Sequence, residues 1–362
     1  MPARTKLLRP SWMKSHIPAL DGLRGVAILL VLLFHSERRL VSLHLAGFAA
    51  WGWTGVNLFF VLSGFLITGI ILDGRERPGF FKSFYARRGL RILPVYALVV
   101  PVNYFVYGRA NTWSQPGTFW PYFVFFAQNL VHGLTGTIDP TWSLAIEEQF
   151  YLVWAPIARR LPLLGMGGAL GAILLIEPWL RRNLHGLTAT HTLYHLDGLA
   201  AGALVAIAIR VFDWTRARWR GLAGGLVIAG LAGWYFAWRG HGSYLDTFFA
   251  IGFAGCVLMA ASGARLCDIA PLRYLGLISY GLYLTHMLVF AILGGIVARI
   301  DRLHPGVGGD LAALTLQWSV SIAVASALWF GFETPILRLK RFFVQPPPSR
   351  AVSTAVARQA AS

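Results

Sequence analysis

The sequence predicts an all-α fold: a polytopic helical bundle embedded in a membrane, with about ten transmembrane helices and one re-entrant or interfacial segment. Three observations carry this. Of 362 residues, 56% are hydrophobic and 13% charged, against about a quarter charged in soluble domains, and the mean hydropathy is +0.58. Apolar runs near the length needed to cross a bilayer recur from residue 18 to residue 332, with no polar domain between them. The basic residues fall between these runs, as they do in cytoplasmic loops of membrane proteins. The net charge of +17 therefore reads as topology, and no nucleic-acid partner is expected.

The expected spans are 18–36, 51–72, 92–109, 142–158, 161–180, 194–210, 221–238, 245–262, 275–297 and 311–332. The further apolar piece Phe119–Leu130 is short and contains Pro121, so it reads as re-entrant or interfacial. Charge supports that parity. With the N-terminus inside, eight of the 32 Lys and Arg fall outside: Arg38, Arg39, Arg109, Arg181, Arg182, Arg239, Arg299 and Arg302. Arg24 lies within the first span and the remaining 23 fall inside. Three segments follow: a basic cytoplasmic N-terminus (1–16), a transmembrane domain (17–342) and a Pro-rich, then small and polar, cytoplasmic tail expected to be disordered (343–362). Arg24 interrupts the first apolar stretch and no small-residue cleavage site follows, so the first span reads as uncleaved. Cys256 and Cys267 are the only cysteines; they lack metal spacing, and nothing in the sequence supports a disulfide.

Polar residues inside the apolar runs mark the candidate site. In LDGLRGVAILLVLLFH (Leu20–His35), Asp21, Arg24 and His35 fall on one helix face, with Arg24 and His35 roughly 16 Å apart along the axis. Asp21 and Arg24 also suit a simple ion pair, and a neutral imidazole is the usual general base. In GVNLFFVLSGFLIT, Ser63-Gly64 suits close helix packing, and Asn57 needs a partner. In FFKSFYARRGLRILPVY, the i, i+3 and i+4 spacing places Arg87, Arg88 and Arg91 on one face. This segment is expected to lie along the cytoplasmic interface until Pro94 opens the next span. It serves either lipid anchoring or phosphate binding. In TWSLAIEEQFYLVW, Ser143, Glu147, Tyr151 and Trp154 share a face, while Glu148 and Gln149 point elsewhere. His191 and His195 have a metal-competent spacing without an evident third ligand, so no metal is expected; Tyr194 and Asp197 stand beside them. In LGLISYGLYLTH, Ser279, Tyr283 and His286 share a face, and the last span ends at Glu333 and Pro335.

In this order, these stretches resemble the membrane-bound acyltransferase family 3, O-acyltransferases of sugars, antibiotics and surface polysaccharides. The resemblance covers roughly residues 16 to 342. It implies a catalytic His35 with Arg24 as its helix-mate, and Arg87, Arg88 and Arg91 gripping the phosphates of an acyl-CoA donor, most simply acetyl-CoA, as co-substrate with no bound cofactor. Ser143, Glu147, Tyr283, His286 and Glu333 match further characteristic polar positions. The implied setting is the cell (inner) membrane, with both termini cytoplasmic. The expected chemistry is general-base attack of an acceptor hydroxyl, most simply a saccharide's, with Arg24 or another donor stabilising negative charge and Glu147 orienting His35. An acyl-imidazole on His35 is the alternative course. The chain departs from the family at Asn57, often Asp, and at His195, commonly Arg two residues before Asp197. No esterase-like domain is expected after the last span. The competing reading is a proton-coupled transporter or flippase of a saccharide or lipid-linked substrate. The sequence shows neither the inverted repeat nor the matched broken spans that would favour it.

Overall fold

The computed structural model describes residues 16–108, 116–131 and 138–343, together with Pro10, Trp12 and Met13. The expected N-terminal basic segment lies mostly outside the described residues, and the tail after Phe343 lies wholly outside them. Among the described residues the ordered elements are helices, joined by turns and loops and without a strand, in the order α1 (Pro18–His35), α2 (Ala46–Ala49), α3 (Thr54–Gly74), α4 (Phe80–Asn103), α5 (Pro116–Val124), α6 (Thr141–Arg160), α7 (Leu163–Asn183), α8 (Asp197–Val211), α9 (Arg216–Trp238), α10 (Leu245–Ala261), α11 (Ala270–Ile292), α12 (Gly294–Leu303), α13 (Val307–Leu328) and α14 (Thr334–Leu337). Ten are long; α2, α5, α12 and α14 are short. Eight stretches are long and apolar enough to cross a membrane. Of the ten long helices, α6 and α8 fall outside that set: α6 carries Glu147, Glu148, Arg159 and Arg160, and α8 has only 15 residues.

Small residues let the central helices approach. A Cβ on Gly64 of α3 would stand 2.0 Å from the Leu199 carbonyl oxygen of α8, and one on Gly202 of α8 would stand 1.9 Å from that of Val61. The glycine of the Ser63-Gly64 pair is thus a packing contact, as its span position suggests. α1 lies as tightly against α11, through Gly25 and Gly276. α3 sits at the centre, with 72% of its apolar window buried, against 22% for the peripheral α7 and α9. Those outer helices carry exposed Leu164, Leu175, Ile228 and Leu231, which suits a lipid surface and not water.

Two expectations change. Pro94 does not open a span: α4 runs unbroken from Phe80 to Asn103 with Pro94 and Pro101 inside it. A membrane helix tolerates the missing donor because it is embedded among neighbouring helices. The arginine segment is therefore the first half of one continuous helix that is long and apolar enough to cross a membrane. The segment near 119–130 is, as expected, too short to cross: it forms α5 and a short turn at Gln128–Leu130. The expected span 275–297 divides into α11 and the short α12, where Arg39 pairs with Asp301 at 2.5 Å and with Asp310 of α13 at 3.3 Å. α13 continues into α14 through a wide π turn, Trp329–Glu333. Both cysteines are free.

Candidate active site

At one end of the bundle, the first half of α4 faces α1, α3 and the chain after α14 across a cavity of about 550 Å³. Arg24, Arg87, Arg88, Arg91 and Lys340 line it, with Asp21 as the one carboxylate in its wall. Arg88 donates to Glu148 at 2.9 and 3.1 Å, lies 3.8 Å from Glu147, and covers the Tyr151 ring at 3.4 Å. Arg91 reaches Glu333 at 3.5 Å and stands 5.1 Å from the Trp329 ring centre. The π turn brings Trp329 and Glu333 to that one arginine. Among the described residues, neither Arg87 nor Lys340 has an ion-pair partner. Arg88 and Arg91 are thus neutralised from behind, while Arg87 and Lys340 leave positive charge facing the cavity.

A second cavity of about 140 Å³ shares Arg24, Ser63, Arg88 and Arg91 with the first and ends at Ser143, Glu147, Ser279 and Tyr283. The two share a wall and lead from the arginine end into the bundle. Ser63 and Tyr151 each donate to Glu147 at 2.8 Å. Ser143 and Tyr283 join hydroxyls at 2.6 Å, and Tyr283 donates to the Pro140 carbonyl at 2.9 Å. Ser279 bonds the Gly276 carbonyl of its own helix. Trp154 donates to Thr68 at 2.9 Å. Ser143, Glu147, Tyr151 and Trp154 share a face of α6, as their spacing predicts, and that face meets α3 through Glu147 and Trp154 and α11 through Ser143. Glu148 does not point away from the site but holds Arg88; Gln149 does turn away, to Phe126 and Asn129.

Beyond Tyr283, whose ring centre is 6.0 Å from that of His286, the His286 and His35 rings stand 4.9 Å apart, with Nε2 of one 3.3 Å from Nδ1 of the other. His286 is fully buried. His35 lines neither cavity. Two expected partnerships differ. Glu147 is engaged by Ser63, Tyr151 and Arg88, and His286 is the side chain beside His35. The Arg24 guanidinium lies 3.6 Å from Asp21, which His16 also contacts at 2.6 Å. Arg24 turns toward the arginine end, while His35 stands about 16 Å further along α1.

The two departures from the family pattern meet at one buried corner. Asn57 donates to Asp246 at 2.9 Å. Arg181 of α7 lies 2.5 Å from Asp197, 3.7 Å from Asp246 and 3.8 Å from Glu177. The corner does carry a fixed positive charge, supplied by Arg181. His195, in the loop before α8, bonds the Ala189 carbonyl and packs at 4.9 Å on Trp142; burial lowers its imidazole pKa from the ordinary 6.5. His191 instead accepts from the Leu193 amide. Among the described residues, no cluster of three or more His, Cys, Asp or Glu could hold a metal.

Sequence reading passed over Lys340, Arg181 and Asp246. Lys340 and Arg181 were absorbed into the topological charge count, and Asp246 stands at a span end, where an acid is unremarked.

The fold and this polar interior define an integral membrane protein with a cationic cavity at one end and a histidine pair deeper in the bundle, beyond Tyr283. The acyltransferase domain family profile matches residues 17–333, and the chain belongs to that family of acyl-transferring enzymes. It is 26% identical over 366 residues to the peptidoglycan O-acetyltransferase OatA of Listeria monocytogenes, covering 90% of this chain and 56% of that protein. It is 25% identical over 323 residues to the O-acetyltransferase OatA of Staphylococcus aureus, covering 78% and 52%. The chain spans about half the length of these relatives. No solved structure matches.

Proposed function

We propose that this chain transfers an acyl group, most simply acetyl, from acyl-CoA to a hydroxyl of a carbohydrate, at a site bounded by the arginine cavity and the His35–His286 pair. The observation that carries the reading is the adjacency of the cavities: the cationic mouth and the cavity ending at Ser143 and Tyr283 share Arg24, Ser63, Arg88 and Arg91 in their walls. Phosphates suit Arg87, Lys340 and the guanidinium forks of Arg88 and Arg91, and a pantetheine arm suits the narrower second cavity. The Listeria relative is a peptidoglycan O-acetyltransferase by name, which makes a cell-wall saccharide the first acceptor to try. The charge distribution supports a cell-membrane setting with both termini and the arginine mouth cytoplasmic.

In the proposed reaction, His35 takes the acceptor hydroxyl proton as the oxygen attacks the thioester carbonyl. The tetrahedral intermediate collapses, the C–S bond breaks, and the proton passes to the departing thiolate. Arg24, turned to Asp21 at the mouth, serves donor binding and not the carbonyl at His35. Ser143 and Tyr283 are the hydroxyl pair of the second cavity nearest the histidines and would steady the thioester. Glu148 keeps Arg88 in place beside it, Glu147 holds the Ser63 and Tyr151 hydroxyls, and Glu333 steadies Arg91.

The test is protein reconstituted in vesicles with labelled acetyl-CoA and saccharide acceptors. Wild type should produce an alkali-labile acetyl ester, and His35→Ala should not. Wild-type turnover by His35→Ala would overturn the assignment of His35. Saccharide transport with no ester formed would favour the carrier reading.

A further inference from the structure

We infer that His286 is a positioning residue that fixes the tautomer of His35 and leaves the Nε2 lone pair of His35 free to take a proton. The inference rests on the reading of His35 as the base and adds the group that prepares it.

The argument is one of donors and acceptors. A carbonyl oxygen only accepts, so a ring nitrogen in contact with one must carry the hydrogen. His286 Nδ1 lies 2.8 Å from the Tyr283 carbonyl and 3.1 Å from that of Leu282. It is therefore Nδ1–H, and in the neutral ring its Nε2 holds a bare lone pair. His35 Nδ1 lies 2.9 Å from the Val31 carbonyl, so it too is the protonated nitrogen. The contact between the rings, His286 Nε2 to His35 Nδ1 at 3.3 Å, then has one consistent assignment. His35 Nδ1–H is shared between the Val31 carbonyl and the His286 lone pair.

The consequence falls on the other nitrogen. A neutral imidazole carries one hydrogen, and two acceptors hold that of His35 on Nδ1. Its Nε2 is bare and has no hydrogen-bond partner among the described residues. When Nε2 takes a proton, the ring becomes a cation and Nδ1–H a charge-assisted donor, which strengthens its bonds to both acceptors. His286 thus assists more strongly once the proton has moved, the form of interaction that speeds a reaction. A neutral ring, 0% exposed and held by its own helix's carbonyls, does this without placing a second charge in the bundle.

The experiment compares three variants in vesicles with acetyl-CoA. His286→Phe fills the space but offers no lone pair; it should lower kcat about a hundredfold with the donor KM unchanged. His286→Gln offers a side-chain oxygen and should recover kcat to within about tenfold of wild type. His35→Ala is the reference for the base itself. In parallel, nitrogen-15 imidazole spectra of the wild type should show His35 protonated at Nδ1 and bare at Nε2. Equal turnover by the Phe and Gln variants, or a His35 protonated at Nε2, would overturn the inference. Wild-type turnover by His35→Ala would overturn the base reading instead, leaving the spectra to decide the tautomer. If the Phe variant fails to fold, the Gln variant and the wild-type spectra still decide the question.

Discussion

Arg88 and Glu148 face each other across α4 and α6 at 2.9 Å, while the adjacent Glu147 stands 3.8 Å from the same guanidinium and accepts instead from Ser63 and Tyr151. Neighbouring carboxylates thus have separate duties. Glu148→Gln should lower the thermal midpoint in detergent, because it takes the counter-charge from a largely buried arginine, a loss of up to about 3 kcal/mol. Glu147→Gln should leave the midpoint near wild type but reduce acyl transfer at least about tenfold. The reverse pattern in paired melting and turnover measurements would reject this division.

The cationic mouth separates in the same way. Arg87 and Lys340 have no ion-pair partner among the described residues, so Arg87→Ala and Lys340→Ala should each raise the acetyl-CoA KM about tenfold with little change in stability. Arg91→Ala should do both, since it strands Glu333, a carboxylate only 4% exposed. Donor KM and melting point for each variant test this.

Gly64 and Gly202 set the spacing of α3 and α8. Gly64→Ala should destabilise by about 1–3 kcal/mol, read as a lowered midpoint, because the added carbon meets backbone that cannot yield. Gly167→Ala on α7, where an added Cβ meets nothing within 4 Å, should be neutral or slightly stabilising. Equal effects would show that this glycine contact does not limit the packing.

At the Arg181 corner, Asn57→Asp would put a carboxylate beside Asp246, with Arg181 already engaged by Asp197. It should lower the midpoint, and Asn57→Asp with His195→Arg should recover part of the loss by adding a cation. A double variant no better than the sum of its parts would show that the two positions do not communicate.

The same corner predicts a pH response. Burial holds the His195 pKa below 6.5 in the fold, with Asp246 and Asp197 opposing that shift and Arg181 adding to it. A folded pKa below the unfolded one gives stability that is present above about pH 6.5 and lost as pH falls below it. His195→Gln should flatten the acid side of the melting-point curve; an unchanged slope would exclude His195 as its source.

What was legible in the sequence follows from distance along the chain. Arg24 and His35 share a helix, so spacing alone places them on one face; the same holds for Arg87, Arg88 and Arg91. His35 and His286 are 251 residues apart, and no local period reports that their rings touch. The Glu147 partners illustrate the same limit: Tyr151, one turn away on α6, was readable as a face-mate, but Ser63 on α3 was not. Pro94 misled because its effect depends on surroundings: in water it ends helices, whereas between packed membrane helices it does not. Lys340 was hidden because a basic run after a last span already has a topological explanation.

The π turn at Trp329–Glu333 acts as a register device. Its extra residue sets the angular phase of everything that follows. Deleting one residue there would rotate the downstream chain by about 100° and swing Lys340 off the cavity wall without altering any side chain that lines it. Chain length at this turn is therefore under a stricter constraint than residue identity: substitutions around Phe330 and Gly331 should be tolerated where single-residue insertions and deletions are not.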